Sequence, residues 1–416
     1  MKYDYVIAGA GIVGLSIARE LNRRYPEARI AIIEKESDVA KHSSGRNSGV
    51  LHAGFYYTAD SLKAKFTRDG NRAMKRYCEE NGLKVNNCGK LVIATNEAEL
   101  EGLAELKRRG DRNSVELECM DESDVSRIDP NVHTYKKALF SPSTATVDPV
   151  EICQCMKREI ASKGVELFFD TRYSEHRGEA IRTNRGKFIC RYFINAAGLY
   201  ADRIAHDFGF GLNYAIIPFK GIYLKFARNK SDVLTNIYPV PDLNNPFLGV
   251  HFTKTVDGSI KIGPTAIPAF WRENYRGMYR FKLGEFSQVM YYMTKLFIRD
   301  SFHFRRLAIN EMKKYSKAHL IGLSLKMVNQ LDRKGFGEFL QPGIRAQLLN
   351  KQTLELVQDF VLEGDASSIH VLNAVSPAFT CALPFASYIV DQVEEKLVGK
   401  RLDWERGRDQ AQGVPG

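Results

Sequence analysis

Apolar and polar residues alternate along the first forty positions in a way that predicts a strand, a helix and a second strand. The apolar run 3–8 is followed by a stretch with helical spacing, and a second apolar run occupies 29–33. A similar order returns later, with a helix pattern over 152–163, a strand at 165–169 and another strand at 188–195. Strands that alternate with helices are typical of βαβ units, so the chain is predicted to contain a parallel sheet.

Three glycines follow the first strand in the spacing Gly9-x-Gly11-x-x-Gly14. Gly9 permits a sharp turn, Gly11 lets the backbone approach a pyrophosphate, and Gly14 lets the helix pack closely on the sheet. The N-terminus of that helix favours an anion. Glu34 ends the second strand, where a carboxylate accepts hydrogen bonds from a ribose hydroxyl and repels the extra phosphate of NADP. The pattern therefore predicts a dinucleotide other than NADP, and a glycine-rich turn of another α/β unit is the alternative.

Two later segments have unusual compositions: the first is too polar for a core, and the second is rich in small side chains. Residues 41–57 read KHSSGRNSGVLHAGFYY, which combines three glycines with two histidines, an arginine and hydroxyl side chains. This composition suits a loop that wraps along an extended cofactor toward its reactive ring. Residues 195–202 read NAAGLYAD, and their small side chains again allow close approach to a dinucleotide before a helix begins.

Length and composition indicate a large enzyme-sized fold. The 416 residues exceed one ordinary domain, the apolar share is 44%, and no linker or repeat divides the chain, so two interleaved domains are predicted. The chain begins directly with a strand pattern, and no apolar run approaches the roughly 18 to 20 residues that cross a bilayer, so we expect a cytoplasmic protein.

The seven cysteines are scattered, and Cys153-x-Cys155 lacks a second pair, so no metal site is predicted.

The net charge of +11 is concentrated in one part of the chain. Residues 272–345 contain 15 Lys and Arg against 6 Asp and Glu, and an apolar stretch at 290–298 precedes Arg299, Arg305 and Arg306. This combination is expected of a surface that meets anionic lipid. A solvated basic face is the alternative, and nucleic acid is not expected as a partner because the segment contains no recognised binding module.

The order of these motifs resembles the FAD-dependent D-amino-acid oxidase superfamily of flavoproteins. The resemblance rests on GAGIVG at 9–14, Glu34, the 42–57 loop, INAAGLYAD at 194–202 and NAVSPAFTCALP at 373–384. Within the superfamily, the L-2-hydroxyglutarate dehydrogenase branch, also called oxidase, fits best, on stretches at 61–65, 87–90, 218–223, 237–242, 246–253, 263–264 and 342–347. Relatives often have His where this chain has Arg46 and Asn where it has Thr265. These two differences leave the fine substrate preference open.

The resemblance implies an α/β fold in which a Rossmann-like FAD-binding domain is interleaved with an α+β antiparallel-sheet substrate domain. The FAD-binding domain is expected to comprise 1–87, 142–217 and 342–404. The substrate domain is expected to comprise 88–141 and 218–341, and 405–416 a disordered tail. The last helix is predicted to begin with Ser376 as N-cap and Pro377 at its first position, with its N-terminus aimed at the flavin.

The same resemblance assigns residues to the cofactor. The expected FAD-binding residues lie in the glycine-rich turn, the polar loop, the third strand end and the last helix, and they are Gly9, Gly11, Gly14, Glu34, Lys35, Ser43, Ser44, Asn47, Ser48, Gly49, Ala197, Gly198, Asn373, Ser376 and Thr380.

The implied reaction is oxidation of L-2-hydroxyglutarate to 2-oxoglutarate by hydride transfer to the flavin. It needs a base near neutrality, for which His52 and His251 are candidates, and which of them takes the proton is open. Arg345 is expected to grip a substrate carboxylate, assisted by Lys220 and Tyr223. Electrons would pass to oxygen or to a quinone of the inner membrane, with the protein peripheral on its cytoplasmic face. Another 2-hydroxy acid or an amino acid as substrate, or a basic flavoprotein acting on RNA, are the alternatives.

Overall fold

A computed structural model describes residues 2–227, 232–242 and 247–411 of the chain, with side chains up to 397. The strands are β1 (Lys2–Ala8), β2 (Ile30–Ile33), β3 (Val50–Leu51), β4 (Val85–Asn86), β5 (Lys90–Ile93), β6 (Glu118–Asp121), β7 (Lys137–Ser141), β8 (Ala145–Val147), β9 (Glu166–Phe168), β10 (Tyr173–Arg177), β11 (Ala180–Thr183), β12 (Gly186–Asn195), β13 (Tyr214–Gly221), β14 (Leu224–Phe226), β15 (Asn236–Pro239), β16 (His251–Lys254), β17 (Ile260–Gly263), β18 (Ile267–Pro268), β19 (Phe336–Phe339), β20 (Gly343–Asn350), β21 (Val361–Gly364) and β22 (Ser368–Asn373). The helices are α1 (Ile12–Arg24), α2 (Leu62–Glu80), α3 (Glu99–Arg112), α4 (Glu122–Ile128), α5 (Pro149–Ser162), α6 (Ala201–Asp207), α7 (Leu283–Arg299), α8 (Phe304–Lys313), α9 (Lys317–Ser324) and α10 (Ala378–Ala411).

The first sheet is the predicted parallel one. Strands β9, β2, β1, β12 and β22 lie side by side and run parallel, and β10 and β11 extend the sheet beyond β12 as an antiparallel hairpin. Helices α1, α5 and α10 pack together on one face and bury an extensive apolar core. The strands predicted at 165–169 and 188–195 are confirmed as β9 and β12. Strand β12 is central and largely buried, as expected of a parallel strand with both faces covered, whereas β9 is a partly exposed edge strand beside β2.

Helix α5 shows how the local sequence sets an element boundary. The Asp148 side chain accepts hydrogen bonds from the backbone N–H groups of Val150 and Glu151, at 2.8 and 3.1 Å. Pro149 occupies the first helical position, where its missing N–H is no loss. The predicted helix at 152–163 therefore begins three residues earlier than its apolar spacing alone indicates.

The second large sheet has the order β19, β14, β17, β16, β15, β5, β7, β6 and is antiparallel except between β15 and β5. Strand β13 pairs with β18 and with β20, which forms a smaller antiparallel sheet next to it. Strands β3, β8 and β4 form a further small antiparallel sheet, in which β8 lies between the other two strands. The second large sheet draws its strands from residues 90–141 and 224–339, so separated parts of the chain build it.

The start and end of α10 differ from the prediction. The helix begins at Ala378, and the Pro377 carbonyl accepts the first helical hydrogen bond from the Cys381 N–H at 3.1 Å, so Pro377 and not Ser376 occupies the N-cap position. At the other end, α10 includes 405–411, which were predicted to belong to a disordered tail, while 412–416 lie outside the described residues.

Candidate active site

A cavity of about 980 Å³ lies at the carboxyl ends of β1, β2 and β12 and extends to the second large sheet. Near the parallel sheet, its walls include Gly9, Glu34 and Ala197. Farther from that sheet, they include His52 and Arg345. The carboxyl edge of a parallel sheet is where dinucleotides bind in open α/β folds. One cavity therefore joins the predicted nucleotide site to the predicted catalytic and substrate-binding residues.

The glycine-rich turn has the geometry that a pyrophosphate requires. Gly9 has a φ of +106°, and a Cβ atom there would lie 2.6 Å from the Ala196 carbonyl oxygen, so the turn and the end of β12 can meet only at a glycine. Gly11 lines the cavity directly before α1. Gly14 does not line it; a Cβ atom there would lie 2.0 Å from the Gly9 carbonyl oxygen and 3.6 Å from the Ile7 side chain of β1. The helix therefore packs against the strand as the motif predicts.

Glu34 is held at the rim of this turn by the backbone. Its carboxylate accepts hydrogen bonds from the Ala10 N–H at 2.8 Å and from the Glu36 N–H at 2.9 Å. Because Glu34 also lines the cavity, these contacts fix an acid at the place where a ribose would lie. The residues present fit an adenine dinucleotide with an unphosphorylated ribose.

Lys35 belongs to a dense charged cluster at the same end. Its Nζ contacts Glu36, lies 2.7 Å from His42 Nε2 and donates to Glu273 at 2.8 Å, while Arg280 contacts both Glu36 and Glu273. The hydrogen bond with His42 and the neighbouring cations Arg280 and Lys35 hold the pKa of Glu36 far below its usual range. Glu36, His42 and Glu273 have the ligand types of a metal site. The Lys35 ammonium contacts all three, and Lys35 and Arg280 together balance the charges of the two acids.

The polar loop after β2 places its hydroxyl groups along the cavity. Ser44 Oγ accepts a hydrogen bond from the Ile12 N–H at 3.0 Å, so this hydroxyl satisfies one of the free N–H groups at the start of α1. Asn47 fixes the loop by donating to the carbonyl oxygens of Ser43 and Ser44. These residues line the cavity together with Ser48.

Besides Gly14, two further residues predicted to bind the cofactor, Gly49 and Asn373, do not line the cavity. Gly49 does not line the cavity; it has a φ of +77°, and its Cβ would lie 2.4 Å from the Val147 carbonyl oxygen. Asn373 is fully buried and donates to the carbonyl oxygens of Val357 and Asp359, at 3.1 and 2.6 Å. In contrast, Gly198, Ser376 and Thr380 line the cavity, so they stay candidates for cofactor binding.

The far end of the cavity brings both candidate histidines together with Arg345. His52 is anchored through its backbone N–H, which donates to Thr380 Oγ1 at 3.2 Å, and its Nδ1 is buried without a hydrogen-bond partner in the described structure. His251 opens β16, and its ring stacks on Tyr238 with the centroids 3.7 Å apart. Both histidines, Tyr238 and Arg345 line the same wall.

His251 has a defined tautomer. Its Nδ1 lies 2.9 Å from the Gly249 carbonyl oxygen, which can only accept, so Nδ1 carries the proton and Nε2 has a free lone pair. Burial lowers the pKa of His251 to about 3, and the positive charges of Lys90, Arg345 and Lys261 act in the same direction. Burial likewise holds the pKa of His52 well below its ordinary value. Both rings are therefore neutral at pH 7.

Arg345 reaches the cavity from β20 without an acidic partner. It lies opposite Phe219 of β13, its guanidinium carbon is 5.4 Å from the centre of the Phe247 ring, and no described carboxylate forms an ion pair with it. Burial lowers its pKa, although a guanidinium remains charged at every physiological pH. A desolvated arginine without a partner is costly, so the site is suited to an anionic ligand.

Lys220 is not part of this wall, contrary to the prediction. Side chains alternate along β13, and Gly221 lines the cavity while Lys220 points the other way. Its Nζ donates to Asn274 at 3.3 Å and lies 6.0 Å from the centre of the Tyr315 ring. Tyr223, two residues after Gly221, does line the cavity, and burial raises its pKa to about 12, so its hydroxyl stays protonated.

Comparison with known proteins agrees with this site. A family model described as FAD dependent oxidoreductase, abbreviated DAO, matches residues 4–307. The L-2-hydroxyglutarate dehydrogenase of Escherichia coli K12 is 37% identical over 96% of this chain and 94% of its own length. The mitochondrial L-2-hydroxyglutarate dehydrogenase of Homo sapiens is 34% identical over 95% of this chain and 89% of its own. The chain belongs to the DAO family of FAD-dependent oxidoreductases.

Solved structures of other flavoenzymes share the fold. An FAD-bound L-alpha-glycerophosphate oxidase from Mycoplasma pneumoniae superposes with a TM-score of 0.75 at 21% identity, over 95% of both chains. A glycine oxidase from Geobacillus kaustophilus superposes with a TM-score of 0.67 at 17% identity, over 95% of both chains. FAD is the cofactor of this DAO family enzyme, and the D-amino-acid oxidase-like fold predicted from the sequence is confirmed.

Sequence reasoning did not single out Tyr238 or Glu273 of this DAO family enzyme. Tyr238 stood inside one of the stretches that carried the resemblance, but nothing marked it as a cavity residue that stacks on His251. Glu273 lies in the basic segment and was counted only as a charge, whereas it is almost fully buried and accepts from Lys35. An acid within a strongly basic stretch is the signal that would have drawn attention to it.

Proposed function

We propose that the protein oxidises L-2-hydroxyglutarate to 2-oxoglutarate and passes the electrons to a membrane quinone. The observation that carries the proposal is the unpaired, desolvated Arg345 guanidinium on the same cavity wall as two neutral histidines. Relatives at 34 to 37% identity are named for that substrate, which narrows the choice among hydroxy acids. FAD, when bound, supplies the hydride acceptor.

His251 is the base that takes the hydroxyl proton in this proposal. Its Nδ1 is occupied by the Gly249 carbonyl, so the lone pair on Nε2 is the part of the ring that can accept a proton. In the free enzyme burial, and to a lesser extent the nearby cations, keep this ring a weak base. A doubly negative substrate beside Arg345 offsets the charges of those cations and raises the pKa of His251, so the ring is a stronger base when the substrate is in place than in the free enzyme.

Arg345 and Tyr223 hold a carboxylate of the substrate. A guanidinium binds a carboxylate through two parallel hydrogen bonds and so fixes its orientation as well as its charge. The Tyr223 hydroxyl stays protonated because its pKa is raised to about 12, so it can donate a further hydrogen bond. Together they orient the carbon that carries the hydroxyl group, which is the part of catalysis that depends on position.

The start of α10 provides positive potential at the same cavity. Ser376, Ala378 and Thr380 line the wall, and the N-terminus of a helix carries the positive end of its dipole. Residues at this helix start would favour negative charge on a bound FAD in its reduced form. The predicted role of the last helix is thus retained in the proposal, although the helix begins one residue later than expected.

A partly apolar, basic surface supports the quinone as acceptor. Helix α7 buries Val289, Met293 and Leu296 against the core but leaves Leu283 and Ile298 69% and 70% exposed. Further exposed apolar side chains on α7 and α8 lie among the basic ones, and they are Tyr291, Phe297, Ile309 and Met312. Exposed apolar groups among lysines and arginines suit the surface of an anionic bilayer. No helix in the described ranges is long and apolar enough to cross a membrane.

Not every basic residue of 272–345 contributes to that surface. Arg272 is fully buried and pairs with Asp202, with nitrogen to oxygen distances of 2.6 and 2.8 Å. Lys314 is buried against Glu311. The positive surface is therefore smaller than the sequence count indicates, which weakens the RNA alternative more than the lipid one, because apolar exposure contributes only to the latter.

Binding to vesicles tests the membrane part of the proposal. The wild-type protein is expected to sediment with vesicles that contain phosphatidylglycerol and to be partly released by salt. Replacing both Leu283 and Ile298 by Asp should weaken binding by roughly tenfold, since apolar insertion is lost and negative charge is added. Leu212→Asp serves as the control, because Leu212 is also an exposed leucine but lies outside α7 and α8. Equal loss in the control, or wild-type protein that stays in solution, would contradict the proposal.

Turnover with product analysis tests the reaction itself. The purified holoenzyme, supplied with L-2-hydroxyglutarate and a short-chain ubiquinone analogue, should form one 2-oxoglutarate for each quinone reduced, because both changes involve two electrons. Turnover with oxygen alone at the same rate would favour an oxidase. If an amino acid or another 2-hydroxy acid turns over faster, that compound and not L-2-hydroxyglutarate is the substrate.

A further inference from the structure

Lys90 is a buried lysine close to the active-site histidines that the proposed reaction does not use. It begins β5, where it pairs with Asn236 of β15 and Ser141 of β7, and it is fully buried. Its Nζ has no hydrogen-bond partner in the part of the chain that the structure describes. An ammonium group in this position is expensive, so a reason for keeping it there is required.

Three aromatic rings surround the Lys90 ammonium. Its Nζ lies 4.4 Å from the ring centre of Phe55, 4.5 Å from that of Tyr56 and 4.9 Å from that of Tyr238. Aromatic faces attract a cation and offset part of its desolvation. Burial nevertheless lowers the pKa of Lys90 to about 7, so it changes charge within the physiological range.

The Tyr238 ring connects this lysine to the active site. The ring stacks on His251 at 3.7 Å between centroids, and Tyr238 itself lines the cavity. Phe55 and Tyr56 follow His52 closely in the chain, so the same rings that enclose Lys90 belong to the segment that carries the second histidine. The positive charge of Lys90 lowers the pKa of both histidines. Its charge therefore acts on the cavity although its side chain does not reach it.

We propose that Lys90 is a positioning residue whose charge, held behind Tyr238, gives the histidine end of the cavity the positive potential that binds a dicarboxylate. The inference rests on the proposed function, because it takes the substrate to carry two carboxylates. Affinity for a dianion is then high while Lys90 is protonated and falls as pH rises through about 7, where the ammonium is lost.

Other charged and titratable groups face the same end of the cavity and set the background. Arg345 on β20 stays charged throughout, and Lys261 on β17, whose pKa burial lowers to about 8, lies 4.8 Å from the Tyr223 ring centre. His52 and His251 are neutral at pH 7, because burial lowers the pKa of both rings. Tyr223 and Tyr238 stay protonated because burial raises their pKa. Lys90 and Lys261 are thus expected to give two separate steps in the pH dependence of binding.

Calorimetric binding of glutarate to the holoenzyme between pH 6 and 9 tests this role. Glutarate has both carboxylates but no hydroxyl group, so it binds without reacting. For the wild-type protein, the dissociation constant should rise by roughly threefold to tenfold across the step near pH 7, and a smaller step near pH 8 should follow. Binding between these pH values should take up a fraction of a proton, because the dianion raises the pKa of Lys90.

Two substitutions separate charge from packing. Lys90→Met, which fills the same apolar space, should bind glutarate weakly already at pH 6 and lack the step near pH 7. Lys90→Arg stays charged, so it should bind tightly without that step, and it decides the question if the methionine variant does not retain FAD. Lys254→Met is the control, since Lys254 is a buried lysine on β16 that donates to the Val233 carbonyl at 2.7 Å. It should retain both steps.

The outcomes are distinguishable from failure of the proposed function. If glutarate does not bind the wild-type holoenzyme at any pH, the dicarboxylate substrate is wrong and the role of Lys90 falls with it. If glutarate binds and the step near pH 7 persists in Lys90→Arg, Lys90 is only a core residue and the inference is overturned, while the proposed function stands.

Discussion

Replacing Arg345 by methionine is expected to raise KM for L-2-hydroxyglutarate by roughly 100-fold or more, with FAD still bound. Methionine fills much of the same volume on β20, so the strand pairing with β13 should be kept. The effect is large because Arg345 is the cation on this wall that has no described carboxylate partner, and a desolvated substrate carboxylate would lose its main source of charge-assisted hydrogen bonds.

The lysine variant and the rate constants make this prediction specific. Arg345→Lys keeps the charge but loses the paired hydrogen bonds, so its KM should lie between those of the wild type and Arg345→Met. Stopped-flow measurement of flavin reduction against substrate concentration separates the dissociation constant from the limiting rate. A KM within threefold of wild type in Arg345→Met would mean that the substrate carboxylates are bound elsewhere.

Replacing His251 by glutamine is expected to lower the limiting rate of flavin reduction by roughly 100-fold to 10,000-fold, with substrate binding largely kept. Glutamine can preserve a hydrogen bond to the Gly249 carbonyl but cannot accept a proton as the Nε2 lone pair does. The corresponding His52→Gln variant should lose less, since His52 has no hydrogen bond that fixes its tautomer in the described structure.

The pH dependence adds a second, independent readout for His251. Because burial and neighbouring cations lower its pKa to about 3, the free enzyme holds this ring unprotonated at every pH above that value. The ratio kcat/KM should therefore show no acid limb from His251 between pH 5 and 8. A limb near pH 6.5 that disappears in His251→Gln, or a larger loss in His52→Gln than in His251→Gln, would assign the proton transfer differently.

The cofactor end of the site was predictable because its signals are local. The turn at Gly9 and Gly11 and the acid at Glu34 follow from residues a few positions apart, and the structure places all three on the cavity. Ser44 was also found from the composition of its loop. Its contact with the Ile12 N–H at the start of α1 was not predictable, because it depends on how the loop folds back across the turn.

The substrate end depended on side-chain direction, which the sequence gives poorly. Lys220 and Tyr223 lie in one short stretch, yet only Tyr223 reaches the cavity, because a strand turns successive side chains to opposite faces and the register of β13 comes from its pairing with β20. Side-chain direction also explains why Asn373 does not reach the cavity. Its amide points to the backbone carbonyls of 357 and 359 and donates hydrogen bonds to them. The surroundings of Lys90 were not predictable either, because its ammonium is enclosed by three rings that come from other parts of the chain.

The central claim is stereospecific oxidation of L-2-hydroxyglutarate by the bound flavin. The most direct test mixes the purified holoenzyme anaerobically with L-2-hydroxyglutarate and follows the absorbance of oxidised flavin at roughly 450 nm. The D enantiomer and glycerol 3-phosphate serve as controls. Rapid bleaching by the L enantiomer alone is the predicted result. A flavin that the L enantiomer leaves oxidised, or that the D enantiomer or glycerol 3-phosphate bleaches as fast, would contradict the claim.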